Sequence, residues 1–235
     1  LGENGRPFTL GRTMSDILLD PIEARILGVL AEKQATTPDV YPLTVNALLS
    51  GCNQKTSRDP VLNLTESEVQ AALEELRHRT LVVESYGASG RVLRYAQNLD
   101  RVLKLPPASH AILAVLMLRG PQTPGELRSN CDRLYHFPDI SALEGYLDEL
   151  AERPSGPLVL KLAKQPGSRE HRYAHLLCGE VAFAAASASP EPEEPRATGH
   201  AGELARLRAE VTELRRLVDH LYAELGVAEP PASSA

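Results

Sequence analysis

Tryptophan is absent from this 235-residue chain and phenylalanine occurs only three times, so its core has to be mainly aliphatic. Cysteine is scarce as well. Cys52, Cys131 and Cys178 are far apart, odd in number, and form no C-x-x-C pair. Neither a disulfide framework nor a structural zinc site is indicated; small, mostly buried thiols in a reducing compartment are expected. No apolar run approaches the roughly 20 residues of a membrane helix. Residues 1–14 lack an apolar signal-peptide core and read as a disordered extension, which makes a cytoplasmic setting the expectation.

Enzyme signatures are missing too. The chain has no G-x-G-x-x-G, no G-x-x-x-x-G-K-[ST], no H-E-x-x-H and no G-x-S-x-G. His171 and His175 fall in an expected strand, where they share a face yet lie well apart, so they do not suggest a metal site. A non-enzymatic protein without cofactor, catalytic residue or metal is expected.

What the chain does contain is a repetition. Ile26-Leu27-Gly28-Val29-Leu30 returns as Ile112-Leu113-Ala114-Val115-Leu116. Val69 with Leu73-Glu74-Glu75-Leu76 returns as Leu143 with Leu147-Asp148-Glu149-Leu150, and Arg94-Tyr95-Ala96 as Arg172-Tyr173-Ala174. The order is kept, so one unit has been duplicated in tandem. Two copies make a pair of domains, since a solenoid needs three or more repeats.

Each copy reads as three helices and a hairpin. In the first, Asp20-Pro21 opens a helix to about Glu32, Thr44 caps a second that ends near Gly51, and Thr65 with Glu68 forms a capping box for the third. Leu81-Val83 and Val92-Tyr95 then make a hairpin. In the second, helices run from about Ser109 to Leu118, from Thr123-Pro124, and from Ser141 to Glu152, before strands at Leu158–Lys164 and His171–Leu177. The expected fold is mainly α with small β-hairpins (α+β), arranged as tandem winged-helix domains over 15–100 and 101–178.

Residues 179–202, rich in Ala, Ser, Pro and Glu, read as a flexible linker. Over 203–226, Leu204, Leu207, Val211, Leu214, Val218, Leu221 and Leu225 alternate steps of three and four, a heptad seam with β-branched residues at a and Leu at d. Glu203 and Glu210 at g face Arg208 and Arg215 at e in a parallel pair. A coiled-coil homodimer is expected; the alternative is one amphipathic helix folding back on its own domains. Residues 227–235 read as a disordered tail.

Charge decides what a winged helix here could bind. Counted along the sequence, residues 15–100 are acidic by four charges, residues 101–178 basic by two, and the tail from 179 acidic by five. The third helices carry Glu66, Glu68, Glu74 and Glu75 in one copy and Glu144, Asp148, Glu149 and Glu152 in the other, and carboxylates repel a groove. Basic residues gather on the hairpins instead: Arg91, Arg94, Lys161, Lys164, Arg169 and Arg172. They are candidate phosphate contacts, or else an ordinary solvated surface. Asn53, Gln54, Lys55 and Arg58, in a Cys52–Pro60 loop with no counterpart in the second copy, suit hydrogen bonding to bases or phosphates. The same residue types equally satisfy their own loop.

Leu19-Asp20-Pro21-Ile22-Glu23-Ala24-Arg25, Thr36-Thr37-Pro38, Tyr41-Pro42-Leu43-Thr44 and Cys52-Asn53-Gln54-Lys55 with Arg58-Asp59-Pro60 resemble the bacterial YceH family. So do Leu118-Arg119-Gly120-Pro121-Gln122-Thr123-Pro124-Gly125-Glu126-Leu127 and Arg172-Tyr173-Ala174-His175-Leu176. The resemblance covers about residues 16–178. It implies two winged-helix domains and a cytoplasmic bacterial protein, and brings no catalytic residue with it. Together these readings point to a DNA-binding or transcription-regulatory protein, with a protein-interaction adaptor using acidic winged-helix surfaces as the alternative.

Overall fold

The computed structural model describes residues 17–86, 90, 92–164 and 170–179. The extension 1–14, the linker beyond Gly179, the heptad segment and the tail 227–235 lie outside them. What is described is mixed: helices with two small antiparallel hairpins.

Helix α1 (Pro21–Thr36) starts with a complete capping box. Asp20 Oδ1 accepts from Glu23 N and Glu23 Oε2 accepts from Asp20 N, both at 2.8 Å, and Pro21 occupies the first helical position. The helix runs one turn past its expected end at Glu32. Thr44 caps α2 (Val45–Cys52), and the Thr65–Glu68 box caps α3 (Glu66–His78). Strands β1 (Val82–Tyr86) and β2 (Leu93–Gln97) follow, paired Val82 to Gln97 through Tyr86 to Leu93.

A short helix, α4 (Leu99–Leu103), joins the copies and ends at Lys104 with φ of 52°. It has no counterpart in the sequence reading. The second copy then repeats the plan with α5 (Pro107–Arg119), α6 (Pro124–Cys131) capped by a Thr123–Glu126 box, and α7 (Ile140–Ala151) capped by Asp139. Strands β3 (Val159–Lys161) and β4 (Tyr173–His175) are shorter than the expected runs. Bonds from Leu162 N to Arg172 O and from Leu176 N to Leu158 O, both 2.8 Å, continue the pairing at either end. His171 therefore precedes the strand that holds His175.

Two helices form the centre. Ala24–Ala31 of α1 and Ala111–Leu118 of α5 are buried on every side, as befits helices with little polar face. The other helices bury one stripe. In α3 it is Val69, Ala72, Leu73 and Leu76; in α7 it is Leu143, Leu147 and Leu150. These stripes close over α1 and α5, and residues from both copies form one continuous core. Each fully buried leucine stabilises this core by roughly 1.5–3 kcal/mol.

One local device occurs twice. Between the first and second helices of each copy, one residue pairs with the hairpin's second strand. Leu43 N to Tyr95 O and Tyr95 N to Leu43 O measure 3.0 and 2.7 Å; Gln122 N to Tyr173 O and Tyr173 N to Gln122 O also measure 3.0 and 2.7 Å. Each hairpin is thereby fastened to its own helices.

Candidate functional site

The four described basic hairpin residues, Arg94, Lys161, Lys164 and Arg172, do not form one patch of free cations. Arg94, half-buried, donates Nη1 to Pro42 O at 2.8 Å and to Val40 O at 3.3 Å. Arg172 donates Nη1 to Pro121 O at 2.8 Å and holds Glu126 through both terminal nitrogens, at 3.0 and 3.1 Å. These arginines brace the hairpins against the helices. Lys161 and Lys164 are exposed, and Lys161 Nζ stands 5.7 Å from the Tyr173 ring centroid, a cation–π distance. They share a recess of about 220 Å3 with the carboxylates Glu144 and Glu170. Arg91 and Arg169 lie outside the described residues.

The Cys52–Pro60 loop turns most of its polar groups inward. Arg58 is 5% exposed. Its Nε donates to Gly51 O at 3.0 Å. Nη1 donates to Ser57 O at 2.8 Å and Glu32 Oε1 at 3.2 Å, and Nη2 to Glu32 Oε2 at 2.6 Å and Gln54 Oε1 at 2.9 Å. A guanidinium has five N–H groups, so this set employs all of them. Asn53 fastens the far end of the loop, donating Nδ2 to Leu64 O at 2.9 Å and accepting from Leu64 N at 2.8 Å. Lys55 is exposed.

Two partners of this loop stand outside the sequence-based candidates. Glu32 is held below the ordinary carboxylate value: burial pulls it up, but the hydrogen bond and charge of Arg58, helped by Lys33, outweigh that. Arg25 is 2% exposed and donates to Pro60 O at 2.7 Å and Cys52 O at 3.3 Å. Burial and then the neighbouring Arg58 lower its pKa. The available signal was their spacing: Arg25 and Glu32 are seven apart and share one face of the helix, flanking its apolar run Ile26–Ala31.

The outward faces of α3 and α7 are acidic. Glu66, Glu68, Glu74 and Glu75 on the one, and Glu144, Asp148 and Glu149 on the other, are exposed, as is Glu152 just beyond α7. Arg77 pairs with Glu74 and stands near Glu84 at 3.7 Å, so the basic end of α3 is already engaged. Arg79 is turned back to Glu23 and to Leu18 O.

The thiols and the His110 and His175 imidazoles are embedded rather than poised. Burial pushes Cys52 and Cys131 up to about 12 and Cys178 to about 11, so at neutral pH little thiolate forms. Burial pushes His175 down to about 4. Among the described residues no group of three or more His, Cys, Asp and Glu could hold a metal ion, and no helix is long and apolar enough to cross a membrane.

The repeated helices and braced hairpins define an α+β protein. Residues 19–168 match the family model described as "Protein of unknown function, DUF480". A UPF0502 protein of Leptothrix cholodnii is 53% identical over 221 residues, covering 91% of this chain and 98% of that one. UPF0502 proteins of Burkholderia cenocepacia and Cupriavidus pinatubonensis are 52% and 51% identical, covering 89% and 92% of this chain and 90% and 94% of theirs. The chain belongs to the DUF480/UPF0502 family.

Proposed function

We propose that the protein is a non-enzymatic adaptor: two winged-helix units on a shared core, presenting the acidic faces of α3 and α7 to a basic segment of a protein partner. The winged-helix reading is supported by the order of three helices and a hairpin in each copy, and by the Leu43–Tyr95 and Gln122–Tyr173 pairings that attach each hairpin. The observation that carries the adaptor reading is the exposed run of carboxylates on the helices that would otherwise enter a DNA groove. Phosphate neutralisation supplies most nucleic-acid affinity. Here Arg94 and Arg172 spend their donors on Pro42, Pro121 and Glu126.

DNA binding led by the second hairpin is the second reading, favoured by the exposed Lys161 and Lys164. The self-pairing heptad, Leu204 to Leu225, adds homodimerisation to either reading, on the sequence pattern alone. A cytoplasmic setting belongs to the same proposal and accords with three free cysteines.

The test compares two probes at low and high salt: a duplex DNA and a Lys/Arg-rich peptide. The adaptor reading expects no duplex binding at low salt. It expects salt-sensitive peptide binding that is lost when Glu144, Asp148 and Glu149 become Gln, Asn and Gln. Duplex binding that vanishes with Lys161→Ala and Lys164→Ala overturns it in favour of DNA.

A further inference from the structure

The loop that only the first copy carries has an outer side as well as an inner one. Ser57, Arg58 and Asp59 form one wall of a cleft of about 310 Å3, and the turn from α5 into α6 forms the other. The join is direct: Asp59 N donates to Leu118 O at 2.8 Å. Ser57 is held at φ of 60°, a left-handed conformation rare for a serine.

Arg119, in the last turn of α5, is half-buried in this cleft. Its Nη2 donates to Ser57 Oγ at 2.6 Å. Among the described residues its side chain makes no other hydrogen bond and no ion pair, so the rest of its planar donor fork is unused. Such a fork matches a carboxylate or phosphate in two parallel bonds. The Ser57 hydroxyl, already an acceptor for Arg119, keeps its own proton to donate.

Two further arginines lie behind the cleft. Arg25 and Arg58 are both buried. Glu32 is the one carboxylate hydrogen-bonded to either among the described residues. Asp59 offsets Arg25 electrostatically, so the unpaired positive charge at the cleft is that of Arg119 itself. Of the carboxylates in the lining, Glu126 is committed to Arg172 and to Thr123 N. Asp59 is exposed on the rim and opposes an incoming anion.

We infer that this cleft binds a small oxyanion, a carboxylate or phosphate, on the Arg119 guanidinium with Ser57 Oγ beside it. The inference is independent of the adaptor reading. It gives the first copy's extra loop a task that its inward hydrogen bonds alone leave unexplained: holding Ser57 opposite Arg119.

The test uses the full chain and two separate probes, inorganic phosphate and succinate, titrated calorimetrically against chloride at matched ionic strength. At least one probe binds saturably, and which one distinguishes a phosphate from a carboxylate ligand. Arg119→Gln weakens that binding by about tenfold or more, the loss of roughly one charge-assisted pair. Asp59→Asn tightens it several-fold and leaves the bond to Leu118 O in place. The inference is overturned if neither probe binds above the chloride control, or if Arg119→Gln binds as the wild type does. Should Arg119→Gln fail to fold, Asp59→Asn decides: tighter binding supports the site, unchanged affinity refutes it.

Discussion

Gly28 of α1 and Leu118 of α5 approach so closely that a Cβ on the glycine would lie 2.9 Å from Leu118 Cγ and 3.3 Å from Met117 Cβ. Glycine is costly inside a helix, by about 1 kcal/mol relative to alanine, and its presence here answers to packing. Overfilling such a seam costs about 1–3 kcal/mol, which exceeds the helical gain. The expected order of stability is wild type, Gly28→Ala, then Gly28→Val, read from urea midpoints. An alanine variant more stable than the wild type would show that the seam yields.

Arg58 is buried and pairs with the part-buried Glu32. Arg58→Ala leaves Glu32 with Lys33 alone and the Gly51 carbonyl without its donor, a loss of about 3 kcal/mol, the low end for breaking a buried pair. Arg58→Lys keeps the charge but not the fork and should fall between. Equal stability of the Lys variant and wild type in chemical denaturation would count against the five-bond account.

Thiol chemistry offers a simple readout. With Cys52 and Cys131 buried and pushed up to about 12, a disulfide reagent at mild pH should modify at most one thiol, Cys178, in the folded protein. All three should react after denaturation. Rapid reaction of two or three thiols in the native state would contradict the burial described above.

Acid should destabilise the fold before its carboxylates titrate. His175 takes up its proton only near pH 4 when folded but at its ordinary 6.5 when unfolded. Between those values the unfolded chain holds more protons, so stability falls as pH drops through that window, by up to about 3 kcal/mol. His110, also lowered by burial, acts in the same direction. Glu32 adds its loss further down, from about 4.5, its unfolded value, through its lowered folded one. His175→Gln should flatten the pH dependence of the thermal midpoint between 6.5 and 4; an unchanged slope would remove His175 as its source.

Much of the local architecture was legible because its signals are local. Asp20-Pro21, Thr65 with Glu68 and Thr123-Pro124 announce helix starts within four residues, and each is a formed cap. Helix α4 is a single turn of five residues, too short for periodicity to reveal. The roles of the arginines were not legible, for a different reason. Arg94 and Arg172 find their acceptors 52 and 51 residues away, and Arg58 finds Glu32 at a separation of 26. A basic residue on a hairpin looks the same in sequence whether its donors face a phosphate or a distant carbonyl. Arg119 is equally unmarked: nothing near it in the chain points to its partner, Ser57, which lies 62 residues earlier.

The seam at Gly28 also sets a distance. Because α5 of one copy is seated directly on α1 of the other, the interval between the outer faces of α3 and α7 belongs to the fold and not to a linker. A partner long enough to reach both faces would surrender its translational freedom once and gain two footholds, with an effective local concentration that no tether length dilutes. The molecule would then act as a ruler, rewarding partners whose basic stretches are spaced to match and passing over those that carry only one.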